Sequence, residues 1–198
     1  MMKLPYNVYI VGLGGQGVLT VGELMAEAAQ RDGLPVNYFP TKGMSQRGGF
    51  VNAQIRIGRD LGPALPPRGA QLVVSFERSE ALKGIRYCNP DTYFVLFDDC
   101  WNTTQVVTGK LHYPDEEMVL SEIRSNCRRL IRVPADSLPV IDGTAGRSNV
   151  FMMGVLMRHT DLGEIIRPES VEACIQSMKN AAFNRKVYQA GLDAEVGE

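Results

Sequence analysis

The feature that most constrains this chain is a glycine turn, Gly12, Gly14, Gly15 and Gly17, set between an apolar run and an amphipathic one. Tyr6 to Val11 (YNVYIV) is rich in β-branched and aromatic residues and predicts a buried strand. Val18 to Arg31 places Val18, Val21, Leu24, Met25 and Ala28 on one helical face, and Asp32-Gly33 ends that helix. Leu34 to Phe39 predicts a second strand, so the chain opens as a βαβ unit.

Gly12, Gly14 and Gly17 fit the spacing G-x-G-x-x-G in the strand-to-helix context that a dinucleotide fingerprint requires. Glycine lets the backbone turn tightly, and amides at the helix N-terminus can then face a phosphate. The fingerprint also asks for an acid about 20 residues on, at the end of the second strand, to hold a ribose. That region reads Val36-Asn37-Tyr38-Phe39-Pro40, and Asp32 precedes the strand. Three readings of the turn remain: a nicotinamide site, disfavoured by the missing acid; a site for another phosphate-bearing group; and a tight turn with no ligand.

A second glycine loop follows, Lys42 to Gly49 (KGMSQRGG). Arg47, between Gln46 and two glycines, is a cation on a flexible backbone that could clamp a carboxylate or phosphate. Val51, Ala53, Ile55 and Ile57 then alternate with Asn52, Gln54 and Arg56, predicting a strand with one buried and one polar face. Further strands are expected at Gln71 to Phe76, Thr92 to Phe97, Leu130 to Val133 and, more briefly, Gln105 to Thr108. Helices are expected at Glu77 to Lys83, from Pro114 to about Arg128, over Thr144 to Arg158, and from Arg167 to about Gln189. Alternating strands and helices predict an α/β fold, a Rossmann-like three-layer α/β/α arrangement around a mostly parallel sheet. The 198 residues suit a single unit spanning 1–198, with the C-terminal helices of about 144–190 packed on it.

Taken together, GLGGQGVLTVGELMAEAA and KGMSQRGGFVNAQIRIG strongly resemble the gamma subunit of 2-oxoacid:ferredoxin oxidoreductases. Within that family the MSQRGG form is most similar to the small subunit of the indolepyruvate branch. Leu61 to Pro67, Leu72 to Leu82, Ser148-Asn149-Val150 and the Asn184 to Gly191 end also fit, so the resemblance covers most of the chain. Lys42, where the family usually has histidine, and Asp98-Asp99-Cys100-Trp101, in place of a milder stretch, depart from the pattern.

The resemblance implies a multi-subunit enzyme that decarboxylates a 2-oxoacid, yields an acyl-CoA and passes electrons to ferredoxin. It implies thiamine diphosphate, Mg and iron–sulfur clusters on partner subunits, with no catalytic residue and no cofactor held by this chain alone. It also implies that Gly12, Gly14, Gly15, Gln16 and Gly17, with Gly43, Met44, Ser45, Gln46, Arg47, Gly48 and Gly49, line the CoA side of a shared cleft. The residues agree independently. Cys88, Cys100, Cys127 and Cys174, separated by 12, 27 and 47 positions, match no zinc or cluster spacing and read as reduced, packed thiols. No thiamine-type GDG motif is present.

The remaining features take simpler readings. Met152, Met153 and Met157 read as core filler, His112 and His159 as structural or surface residues, Asp98-Asp99 as a turn, and Arg128, Arg129 and Arg132 as a solvated cluster. A net charge of −1 gives no grip on nucleic acid or anionic lipid, and the run Val150 to Met157 is too short for a membrane span. Reduced cysteines and the absence of a signal peptide suit the cytoplasm. An exposed docking face would also permit a homodimer of the isolated chain. The rival readings are a stand-alone Rossmann-type nicotinamide or flavin oxidoreductase and a non-catalytic scaffold.

Overall fold

The apolar runs become the strands of one sheet. The computed structural model describes residues 4–42, 48–58, 62, 64–102 and 104–197. In chain order these form β1 (Tyr6–Leu13), α1 (Val18–Arg31), β2 (Val36–Lys42), β3 (Phe50–Ile57), β4 (Leu72–Ser75), α2 (Arg78–Gly84), β5 (Tyr93–Asp98) and α3 (Thr104–Val107). There follow α4 (Glu116–Arg124), β6 (Arg129–Pro134), β7 (Val140–Ile141), β8 (Thr144–Ala145), α5 (Ser148–His159), α6 (Leu162–Ile165), α7 (Pro168–Ser177) and α8 (Ala181–Leu192). The main sheet runs β2-β3-β1-β4-β5-β6. Strands β1, β4, β5 and β6 pair in parallel, whereas β3 is antiparallel to both β1 and β2.

The strand period of two sorts the apolar side chains onto the two faces. Val8, Ile10, Leu72, Val74, Val95, Phe97, Ile131 and Val133 point to the layer that holds α1, α5, α7 and α8. Tyr9, Val11, Val73, Phe94, Leu96 and Leu130 point to the layer of α2 and α4. This is the expected three-layer architecture. Helix α1 packs on α5 and α7, and α5 packs on α8. Met152 and Met153 are fully buried and Met157 nearly so, as core filler should be.

Several local expectations are corrected. Strands β1 and β2 run the same way but are not neighbours, because β3 returns antiparallel between them. All four alternating apolar residues of β3 are buried, so it needs a central place. Strand β2 carries Pro40, which lacks a ladder donor, and the exposed Phe39, so it suits an edge. The polar side of β3 is not solvated either. Asn52 and Arg56 are buried; the Arg56 guanidinium donates to Asn7 Oδ1 and to the Gly62 carbonyl, and Gln54 Oε1 accepts from Leu65 N at 2.7 Å. Here the segment before β4 covers the face.

Residues 104–107 are helical, not a strand. Helix α4, capped by Asp115 Oδ1 at 3.0 Å from Met118 N, stops at Arg124. Thr144-Ala145 pair with Val140-Ile141 across Asp142-Gly143, both at positive φ, which is the demand of a tight hairpin. That delays α5 until Ser148. The expected long C-terminal helix is two helices, broken at Asn180, whose φ is 63°.

Asp32, set aside above as no ribose ligand, ties the end of α1 to the start of α7. Its carboxylate accepts from Arg167 N at 2.7 Å, from Arg167 Nε at 2.8 Å and from the Ser170 hydroxyl. Burial alone would raise this carboxyl group's pKa, but the hydrogen bonds from Ser170 and Arg167 outweigh it and hold it below the usual range.

Candidate functional site: a cleft at the glycine turn

The glycine turn is held by one side chain. Gln16 is buried; its Oε1 accepts from Leu13 N and its Nε2 donates to the Phe76 carbonyl, both at 2.8 Å. A Cβ on Gly12 would lie 2.9 Å from Gln16 Oε1, from Phe76 Cβ and from Val18 Cγ2, so only glycine fits. Gly17 has φ +86° and approaches the Asn149 side chain so closely that a Cβ would meet it at 2.8 Å. Gly15, at φ +107°, has open space beside it, so there the requirement is backbone conformation and access.

The two glycine loops touch. Gly14 N donates to the Gly49 carbonyl at 2.8 Å, and Gly48 N donates to the Gly14 carbonyl at 3.2 Å. Gly43, Met44, Ser45, Gln46 and Arg47 lie outside the described residues.

Beyond the turn lies a cleft of about 540 Å³ lined by Gly15, Gln16, Gly17, Thr20, Phe97, Asp99, Trp101, Leu138 and Gly146 to Asn149. It sits outside the carboxyl ends of β1 and β5, where open α/β sheets place ligands. Two helices start at its wall, α1 after Gly17 and α5 after Arg147. Neither N-cap residue makes a side-chain cap and neither helix has an acid in its first turn. The Ser148 hydroxyl donates to the Gln16 carbonyl at 3.1 Å and so fixes one helix start against the other. Two positive dipole ends and the exposed Arg147 favour an anionic group there.

The opposite wall is organised by Glu77, which is fully buried at the end of β4. Its Oε2 caps α2, accepting from Glu80 N at 2.9 Å and from Ser79 Oγ at 2.5 Å. Its Oε1 accepts from Trp101 N at 3.2 Å and from the Tyr113 hydroxyl. Burial, together with that hydrogen bond to Glu77, pushes the Tyr113 hydroxyl well above its ordinary range. The Trp101 indole Nε1 donates to Asp99 Oδ2 at 2.6 Å, so Trp101 is held at its backbone by Glu77 and at its ring by Asp99.

Comparison with known proteins decides the lineage. The model of the pyruvate ferredoxin/flavodoxin oxidoreductase family matches residues 7–194. The chain belongs to this family. It is 35% identical over 193 residues to indolepyruvate oxidoreductase subunit IorB of Archaeoglobus fulgidus, covering 96% of this chain and 95% of that one. It is 26% identical to the pyruvate/ketoisovalerate oxidoreductases common subunit gamma of Pyrococcus abyssi, covering 92% and 91%. Its fold matches pyruvate oxidoreductase subunit PORC of Thermotoga maritima with a TM-score of 0.72 at 22% identity, over 98% of both chains. A 2-oxoglutarate:ferredoxin oxidoreductase from Magnetococcus marinus, solved with 2-oxoglutarate, coenzyme A and succinyl-CoA bound, matches with a TM-score of 0.64 at 18% identity, over 97% of this chain and 31% of that one. This member of the family is a 2-oxoacid:ferredoxin oxidoreductase subunit.

Within that family frame, the structure divides the expected site residues. Gly15, Gln16 and Gly17 reach the cleft, although the Gln16 amide is spent on holding the turn. Gly12 is buried beneath it, and Gly14, Gly48 and Gly49 form the bridge between the loops. Trp101, Arg147, Asn149 and Glu77 were missed as site residues. The acid directly after an apolar strand was the available signal for Glu77.

Two bland expectations also fail. Asp98 is no turn residue: its buried carboxylate pairs with Arg78 and Arg132, which takes Arg132 out of the solvated cluster. Cys100 is exposed rather than packed, while Cys88 and Cys174 are buried. Among the described residues, no three His, Cys, Asp or Glu side chains gather as a metal site, and no helix is long and apolar enough to cross a membrane.

Proposed function

We propose that this subunit forms the CoA side of an active-site cleft that a thiamine diphosphate-binding partner completes. The observation that carries the reading is the convergence of two uncapped helix starts and Arg147 on one cleft beside the glycine turn. That wall suits the phosphates of CoA, and the bare backbone at Gly15 lets them come close. Thiamine diphosphate and Mg on the partner supply the decarboxylation chemistry, and partner iron–sulfur clusters carry the electrons to ferredoxin. The residues of this chain bind and orient: the helix ends and Arg147 hold the anion, and Trp101 closes the far wall. The IorB relatives, at 28–35% identity, lead the ketoisovalerate, pyruvate and 2-oxoglutarate relatives at 26–29%, which favours an aryl 2-oxoacid as substrate. The complex works in a reducing cytoplasm, consistent with four free cysteines.

Arg47 is the arginine of the second glycine loop, whose end at Gly48 and Gly49 is bonded to the first. In the reconstituted complex, Arg47→Ala is expected to raise KM for CoA by about tenfold, the effect of losing one charge-assisted hydrogen bond to an anion. Steady-state kinetics with CoA as the varied substrate measures it. Unchanged assembly, turnover and CoA dependence would sink the proposal.

A further inference from the structure

Glu77 is a fully buried carboxylate whose four described partners, Ser79 Oγ, Glu80 N, Trp101 N and the Tyr113 hydroxyl, are all donors. A carboxylate accepts from all four, whereas an amide offers one acceptor oxygen and turns its NH₂ against one backbone N–H, that of Glu80 or of Trp101, while the neighbouring hydroxyl must rotate to accept. The two oxygens divide the work. Oε2 caps α2, and Oε1 reaches the segment after β5 at two points twelve residues apart in sequence, Trp101 and Tyr113. Arg78 N adds a bond to the Asp99 carbonyl at 3.0 Å.

We propose that Glu77 is a positioning residue that fixes Trp101 as the far wall of the cleft. It touches no ligand itself and acts through Trp101, whose backbone amide it holds while Asp99 holds the indole. Without the tether, the hydrogen bond described for Trp101 that remains is the one to Asp99, which lines the same wall. That this wall meets CoA rests on the proposed function above; that Glu77 holds the wall does not.

Trp101 is the only tryptophan of the chain, so its fluorescence reports this wall alone. It is 42% exposed, which leaves room for the signal to move further toward that of a solvated indole. In the isolated full-length chain, Glu77→Gln is expected to shift the emission to the red and to strengthen quenching by acrylamide. In the reconstituted complex the same variant is expected to raise KM for CoA by about fivefold while kcat changes by less than about twofold. Tyr113→Phe removes one tether and leaves the α2 cap intact; it is expected to move the emission the same way by less, and it carries the test if Glu77→Gln fails to fold. Emission and quenching unchanged in the folded variants would overturn the proposal. If the variants move Trp101 while CoA leaves the wild-type emission and the variants' KM untouched, Glu77 holds the wall and the CoA reading is what fails.

Discussion

Gly191→Ala is expected to destabilise the protein by about 3 kcal/mol, the upper part of the range for overpacking a close contact. A Cβ at Gly191 would stand 2.0 Å from the Phe151 carbonyl oxygen, and one at the facing Gly154 would stand 2.3 Å from the Tyr188 carbonyl oxygen. Both obstacles are backbone, so no rotamer change relieves them, and α5 and α8 must move apart. Alanine's better helix propensity returns only about 1 kcal/mol, too little to offset that separation. For a chain of this size the melting temperature should fall by roughly 6–12 °C, read by thermal circular dichroism. Gly33→Ala is the control. Gly33 has φ +76° but nothing within 4 Å of a Cβ, so its cost is limited to the left-handed backbone, about 1 kcal/mol. Equal losses from the two variants would mean that the α5–α8 crossing is looser than described.

Asp98→Ala is expected to cost about 2–3 kcal/mol. The Asp98 side chain is 3% exposed at the end of β5, accepting from Arg78 Nε at 2.6 Å and from Arg132 Nε at 2.5 Å. Removing a buried ion-pair partner strands the cations left behind, which costs about 3–5 kcal/mol when burial is complete. Arg132 is 31% exposed and Glu116 still pairs with both arginines, which lowers the figure. Denaturant melts should show the loss, and Asp98→Ala with Arg78→Met should cost less than the sum of the two single changes. Additive losses would show that the pair is not coupled. Asp98 adjoins Asp99, so the same change should also loosen the wall that carries Trp101.

The parts of the fold that were legible are those written in periodicity. Alternation along β3 marked its buried apolar face, and the apolar run of β1 marked a buried strand; that successive residues of β1, β4 and β5 face two different helix layers appears only once the sheet is assembled. The glycines of the first turn were legible because a close approach and a positive φ leave little else that fits. What was not legible depended on partners distant in sequence. Nothing local in Asn52, Gln54 and Arg56 says that the segment before β4 covers them. Asp98 resembled a turn residue because Arg78 and Arg132 become its neighbours only through the parallel pairing of β5 with β6 and the start of α2. Gln16 sat inside the motif and was assigned to ligand binding, yet its amide is consumed by Leu13 and Phe76. Asn180 ended a helix that apolar spacing alone would have continued. The family resemblance, carried by the two glycine loops, reached further than local geometry could, since it pointed to a 2-oxoacid:ferredoxin oxidoreductase subunit, which the family match bears out.

The most direct test of the central claim is reconstitution. The partner subunits proposed to bind thiamine diphosphate and iron–sulfur clusters should be assayed with and without this chain for CoA-dependent reduction of ferredoxin by the proposed aryl 2-oxoacid, such as indolepyruvate. This chain is expected to co-purify with the proposed thiamine-binding partner, and turnover is expected only when it is present. Full CoA-dependent turnover without it, or nicotinamide-linked oxidoreductase activity by the chain alone, would overturn its role in the shared cleft.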